Sequence, residues 1–532
     1  MANKNILLIE PGYKNKYPPL GLMKIAQYHG PNGKRDNVTF IKGLDKRVLE
    51  KPWDRIYVTT LFSFEWKKIS EAIDFALCAA HSYARNVFVG GIAASLMHEA
   101  FLQEPRWAGI RFVKGLLNTP PGPSLQLNSF EEELYSEDAN GMPIEDQIPD
   151  YSILGQIEYN YAVHDAYFAY ASRGCVRKCS FCGVPKLEGD LYDTPSLSKI
   201  VNGIKELYGP KKDLILMDNN VVASPRFKEI IAEIRDLGFQ KGAKLDRNNG
   251  RAPVQRRVDF NQGVDARILC KSPMFLRELA SICTDPLRIA FDHWGFKGQY
   301  ETSVRYAHDV ELNSLSNYML YNFKDTPEDL YQRMWLNIQL NEELGIRIFS
   351  FPMRYQPTNM KDRSHVGPKW NKYYLRSLQL ILHATHGIVS GAPSFFRRAF
   401  GSTSDEFIRL LSKPHKFIFN RDWFEELEGR AELEEYSSDF SRLSNGDRDD
   451  LLNALAQFDK NTSYKSAKAA ITNSNVRRIF RFYEPLEKDQ ESEIWRKQGE
   501  LRQNKPPEPV LVPDEKRVED ADLDIDAVLE KA

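Results

Sequence analysis

The chain has 532 residues, 42% hydrophobic and 12% aromatic, ample for burying the cores of roughly two to four domains. Lys and Arg number 72 against 73 Asp and Glu, a formal net charge of -1, which argues against a long phosphate-binding surface and leaves only local basic patches. No apolar run reaches membrane-spanning length and the start, MANKNILLIEPG, lacks the layout of a secretory signal, so a cytoplasmic chain with reduced thiols is expected.

The first part alternates strand and helix patterns. KNILLIEP (4–11), VTFIKG (38–43), RIYVTTLF (55–62), NVFVGG (86–91) and IRFVKG (110–115) read as buried strands, and KKISEAIDFALCAAHSYA (67–84) carries apolar residues at helical spacing. Such alternation predicts a parallel sheet with helices on both faces and ligands at the C-terminal strand ends, near Gly12, YPPLGL (17–22) and Gly90-Gly91. Residues 116–160 turn acidic and rich in turn formers, the composition of a linker or lid.

A second alternating series follows. YFAYASRG (167–174) leads into a cysteine-rich loop, and TPSLSKIVNGIKELYG (194–209) reads as a helix capped by Thr194 with Pro195 in its first turn. The strand patterns DLILMDNN (213–220), VDFNQGVDA (258–266), LRIAFDHW (287–294), SNYMLYNF (316–323) and RIFSFPMRY (347–355) come next, making six strand–helix repeats with the first. That is the pattern of a full or partial parallel barrel, whose functional residues lie at the C-terminal strand ends. From about residue 361 the pattern is helical and aromatic-rich, and residues 486–532 form a highly charged tail that reads as disordered.

Three of the six cysteines, Cys175, Cys179 and Cys182, stand in SRGCVRKCSFCGVPKLEG at C-x3-C-x2-C spacing. In a reducing compartment this clustering suggests metal or redox chemistry. Three thiolates on one loop can bind three irons of a [4Fe–4S] cluster and leave the fourth iron open, or contribute to a zinc site completed by a residue such as His164. Cys78 lies in a helical pattern of the first domain as a core residue, and Cys270 and Cys283 follow a distant strand.

GCVRKCSFCGVP resembles the cluster motif of the radical S-adenosylmethionine superfamily, and the likeness extends over residues 160–360. The resemblance implies a cluster on Cys175, Cys179 and Cys182 whose open iron chelates S-adenosylmethionine, which is then cleaved by an electron to methionine and a 5′-deoxyadenosyl radical. It further implies cofactor contacts from Asp218, Asn219 and Asn220 in LMDNN, from Gln262, Asp265 and Arg267 in NQGVDAR, and from Asp292 in IAFDHWG. At that last place the family's glycine and serine are replaced by Ala290-Phe291 and His293, while FPMRYQP (351–357) matches the last strand, whose backbone faces the adenine.

PPLGL and VGGIAAS (89–95) resemble the cobalamin-binding type of domain over residues 4–118, which implies cobalamin as a further cofactor. The D-x-H-x-x-G loop that carries a cobalt-ligating histidine in that family is absent, and His29 in QYHGPNG does not fit it. A methylthiotransferase would need a second three-cysteine cluster in the first domain, where Cys78 stands alone.

The expectation is therefore an α/β protein: a Rossmann-like doubly wound domain (1–125), a linker (126–160), a partial (β/α)6 TIM-type barrel (161–360), a helical region (361–485) and a charged tail (486–532). The resemblance implies a radical enzyme reduced by a flavodoxin- or ferredoxin-like partner, performing C–H functionalisation or cobalamin-dependent methyl transfer on an unidentified substrate. A nucleic-acid-modifying enzyme and a zinc-stabilised binding protein are the rival readings. His293-Trp294, Tyr321 and Tyr355 stand where a barrel could present them to a substrate, and the arginine pairs 256–257, 397–398 and 477–478 are candidate contacts for an acidic one, each also readable as packing or surface charge.

Overall fold

The computed structural model describes residues 3–117, 144–194, 196–247, 250–384, 387–457 and 464–504. The chain forms two compact units, one of residues 1–290, 298–315 and 356–365, the other of residues 291–297, 316–355 and 366–532.

In the first unit, β1 (Asn5–Glu10), β2 (Asn37–Lys42), β3 (Arg55–Thr60), β4 (Val87–Gly91) and β5 (Arg111–Phe112) form a parallel sheet in the order β2-β1-β3-β4-β5. Leu7, Ile9, Ile56, Val58, Val87 and Val89 share one core with Ile69, Ala72, Ile73, Ala76 and Ala79 of the helix Trp66–Ala79. Those helix positions recur at the spacing of a single face, and the alternate strand residues Ile6, Leu8 and Phe88 are buried as well. Burial on both faces explains why these strands read as continuous apolar runs. Cys78, expected in the core, is exposed, because its helix turns Ala76 and Ala79 inward instead.

This strand order places a topological switch point between β1 and β3, where doubly wound sheets form their ligand crevice. The loops after those strands meet there: the Leu61 N–H donates to Tyr13 Oη at 3.3 Å, and the Tyr13 and Phe62 rings stand edge to face at 6.2 Å. Phe62 stacks on Phe64 at 5.1 Å.

The same unit contains β6 (Ala166–Ala169), β7 (Ser172–Arg173), β8 (Tyr192–Asp193), β9 (Asp213–Leu216), β10 (Lys244–Leu245), β11 (Val254–Gln255), β12 (Arg257–Phe260), β13 (Val264–Asp265) and β14 (Leu287–Ala290). Strands β6, β9 and β12 run parallel in the order β12-β9-β6, and β13 pairs parallel with β14. Ala169, Leu216 and Phe260 lie level, so the chain leaves all three strands at one edge.

Two expected strands are broken at this edge. YFAYASRG divides into β6 and β7, and VDFNQGVDA divides into β12 and β13 at a turn in which Gly263, at φ +80°, donates to Phe260 O. The helix expected from 194 runs from Leu197 to Tyr208 and is capped by Ser196, whose Oγ accepts the Lys199 N–H; Thr194 instead donates to Tyr170 O, and Pro195 lies outside the described residues.

Residues 118–143, most of the expected linker, lie outside the described residues. Residues 144–156 pack as part of the first unit: Ile144 and Ile153 are buried, Tyr151 Oη donates to Ala166 O, and Gln156 Oε1 accepts the Phe40 N–H.

The second unit holds most of β15 (Ser314–Tyr321), together with β16 (Arg347–Arg354) and a series of helices from Lys372 onward. Its last described element is a helix, Lys488–Asn504, where the charge run predicts disorder; residues 505–532 lie outside the described residues. Ile494 is buried, and the Trp495 and Gln498 side chains both donate to Asn420 Oδ1 at 3.1 Å. No described helix is long and apolar enough to cross a membrane.

Candidate metal centre

The cysteine loop leaves β6 at the C-terminal edge of the parallel strands, beside the exits of β9 and β12. The two-residue antiparallel ladder β7–β8 closes its base, Ser172 opposite Asp193 and Arg173 opposite Tyr192. Above the ladder, Gly174 adopts φ +72°, and a Cβ there would lie 2.1 Å from Asp190 O. Only glycine fits so close a crossing at that backbone angle. The Cys175 N–H then donates to Gly189 O at 3.3 Å.

Cys175, Cys179 and Cys182 are half-buried thiols outside any disulfide. Backbone N–H groups of Arg177 and Val184 donate to Cys175 Sγ and Cys182 Sγ at 3.3 and 3.5 Å. The Asn220 amide approaches Cys175 Sγ at 3.9 Å, and the Arg267 guanidinium lies beside Cys179. Arg177 and Arg267 share one carboxylate, that of Asp265, at 2.9 and 2.7 Å. Hydrogen bonds to sulfur and nearby cations are what an anionic thiolate-bound cluster requires. Asn220 is 3% exposed, and its Oδ1 has no hydrogen-bond partner. An unpaired buried carbonyl beside the loop fits an acceptor kept for a bound group.

The structure thus gathers most of the residues singled out from the sequence, in different roles. Asp218 faces the chain itself: its carboxylate accepts the Ala171 and Ser172 N–H groups and Ser172 Oγ, pinning the exit of β6. Burial pushes this carboxyl up to about 6, against those bonds. Asn219 donates to Glu188 at 2.9 Å. Asp265 caps the helix Ala266–Leu269, while Gln262 is exposed in the turn between β12 and β13. Asp292 belongs to the second unit, half-buried next to Phe291, whose carbonyl accepts from the buried Arg333 at 3.1 Å.

Other candidates find ordinary employment. His293 Nδ1 accepts the Gly295 N–H and the ring is exposed. Tyr321 is buried against Trp370, and Tyr355 packs on Phe323. The arginine pairs are engaged internally: Arg256 donates to three carbonyls, Arg257 faces Asp285, Arg397 covers Trp335, Arg398 faces Asp422, Glu425 and Glu426, Arg477 donates to Ile471 O, and Arg478 faces Asp439. His29 is buried between Asp36 and Tyr57. Among the described residues, no three His, Cys, Asp or Glu side chains close on one point as a single-ion cage. His164 is exposed before β6, at the strand end opposite the cysteine loop, and its Nδ1 bonds Tyr161 O at 3.1 Å.

Sequence reasoning missed the charges that hold the loop's foot. Glu145 lies between Lys24, at 2.9 Å, and Arg173, and Arg173 also pairs with Glu188 at 3.1 Å. Burial pushes the Glu145 carboxyl up, but the two cations outweigh it and hold it down, at about 2. These partners are far apart in sequence and carry no motif or period.

No family's sequence model matches this chain, and no curated protein does. Among solved structures it is similar to the radical S-adenosylmethionine methyltransferase TsrM from Kitasatospora setae, solved with cobalamin and a [4Fe–4S] cluster bound: 15% identity over 68% of this chain and 74% of that one, TM-score 0.41. It is also similar to the cobalamin-dependent S-adenosylmethionine radical enzyme OxsB with aqua-cobalamin and S-adenosylmethionine bound, at 12% identity over 97% of this chain and 82% of that one, TM-score 0.49. The apo form of OxsB matches over the same shares at 12% identity and TM-score 0.47. The groups bound in those structures belong to those proteins.

Proposed function

We propose that this chain is a radical S-adenosylmethionine enzyme whose Cys175, Cys179 and Cys182 hold a [4Fe–4S] cluster. The observation that carries the reading is one loop with three half-buried thiols outside any disulfide, placed at the C-terminal edge of parallel strands and supplied with N–H donors and cations. When bound, the cluster and S-adenosylmethionine supply a reductively generated 5′-deoxyadenosyl radical. The chain's own residues hold and insulate that chemistry. Arg177 and Arg267, linked by Asp265, offset the charge of the thiolates, and Asn220 Oδ1 offers an acceptor to the cofactor's ammonium group. Asp218 and Asn219 act on the loop itself, through Ser172 and Glu188.

The proposal extends to cobalamin in the first domain, with methyl transfer or C–H functionalisation as the reaction and a flavodoxin- or ferredoxin-like protein as reductant. Its support is the doubly wound sheet and the aromatic lining of the β1/β3 switch point by Tyr13, Phe62 and Phe64. The test is anaerobic reconstitution, then incubation with dithionite and S-adenosylmethionine, with and without cobalamin. We expect 5′-deoxyadenosine that disappears in Cys175→Ala, and a corrin absorption band that stays with the protein through gel filtration. No deoxyadenosine from a chain loaded with cluster would overturn the radical reading, and corrin that elutes free would overturn the cobalamin one.

A further inference from the structure

We propose that Glu188 is the positioning residue of the cysteine loop, the side chain that fixes where its three thiols stand. Glu188 follows Cys182 by six residues and is itself no metal ligand in this reading. Its side chain is 7% exposed, and both oxygens are used. Oε2 accepts the Gly174 N–H at 2.8 Å and the Asn219 amide at 2.9 Å, and Oε1 accepts Arg173 Nη1 at 3.1 Å. One carboxylate thus joins the strand entering the loop, the loop's first residue, its far end and the exit of β9.

Each partner is itself held. Gly174 donates to Glu188 from the left-handed conformation in which it lies close against Asp190. The Arg173 guanidinium lies over the Tyr170 ring, 3.4 Å from its centroid, and its other nitrogen is bonded to Glu145. Short ladders such as β7–β8 are weak alone, with two paired residues on each side. Charge-assisted bonds from a buried carboxylate add the missing rigidity. The thiols then reach the cluster already placed, and less ordering accompanies its binding.

The role rests on the cluster reading for its purpose, but its physical content can be measured in the full chain before reconstitution. In Glu188→Ala, we expect iodoacetamide to alkylate Cys175 on the order of tenfold faster than in the parent, about the loss of one charge-assisted hydrogen bond. The exposed Cys78 should react at its parent rate and the buried Cys283 should stay protected, both read by peptide mass spectrometry. Glu188→Gln, which keeps one acceptor oxygen, should fall between the two. After reconstitution, the electron paramagnetic resonance signal of the reduced Glu188→Ala protein should be broadened relative to the parent. Unchanged Cys175 alkylation in both variants would overturn the proposal. So would a rise in Glu188→Gln that Cys283 shares, since that reports general unfolding. If the parent takes up no cluster, the proposed function fails while the alkylation result still decides the role of Glu188.

Discussion

Glu145 sits between Lys24 and Arg173 with most of its surface buried, and neither cation is its neighbour in sequence. Its carboxyl is depressed from an ordinary 4.5 to about 2, so its contribution to stability is present above pH 4.5 and is lost as pH falls toward 2. Burial at the same time pulls Lys24 below its ordinary value, which offsets part of the gain. Glu145→Gln leaves two buried cations short of a partner and should cost about 3 kcal/mol at pH 7. Denaturant titrations of both proteins between pH 7 and pH 2 should show that difference shrinking below pH 4.5; a difference independent of pH would contradict the assignment. At this scale the sequence was legible only where a motif marked it. The three cysteines announced themselves by spacing, and Asp218, Asn219, Asp265 and Arg267 only through the family resemblance of their segments. That Asp218 grips the Ser172 backbone and Asn219 grips Glu188 depends on partners 46 and 31 residues away in the chain, which no local pattern encodes.

The strands of the first domain were readable because burial on both faces leaves a continuous apolar run. Where expectation and structure part, the cause is local. β6 and β12 stop early because their chains turn at the C-terminal edge of the sheet, and a turn of two or three residues does not interrupt an apolar pattern visibly. The helix Lys488–Asn504 escaped notice because only a narrow stripe of it is buried, with Ile494 and Gln498 one turn apart among charges. Docking and not composition stabilises such a helix. Ile494→Ala should therefore cost about 2 kcal/mol or more, read as a lower thermal midpoint. An unchanged midpoint would mean that the helix is not seated as described.

At the scale of the molecule, the first unit holds a five-stranded parallel sheet and the parallel strands β12-β9-β6, and the C-terminal edges of the two carry different side chains. The β1/β3 switch point carries aromatic rings, and the edge of β6, β9 and β12 carries the cysteine loop with its cations. The order of elements was legible in the sequence because alternation of strand and helix is a long-range pattern, repeated many times. The substrate was not, because specificity lies in side chains that strand patterns treat as equal. The central claim is the cluster, and iron and acid-labile sulfide per chain after anaerobic reconstitution test it most directly. The account predicts about four of each in the parent and a large loss in Cys175→Ala, Cys179→Ala and Cys182→Ala. A single zinc with no sulfide would contradict it.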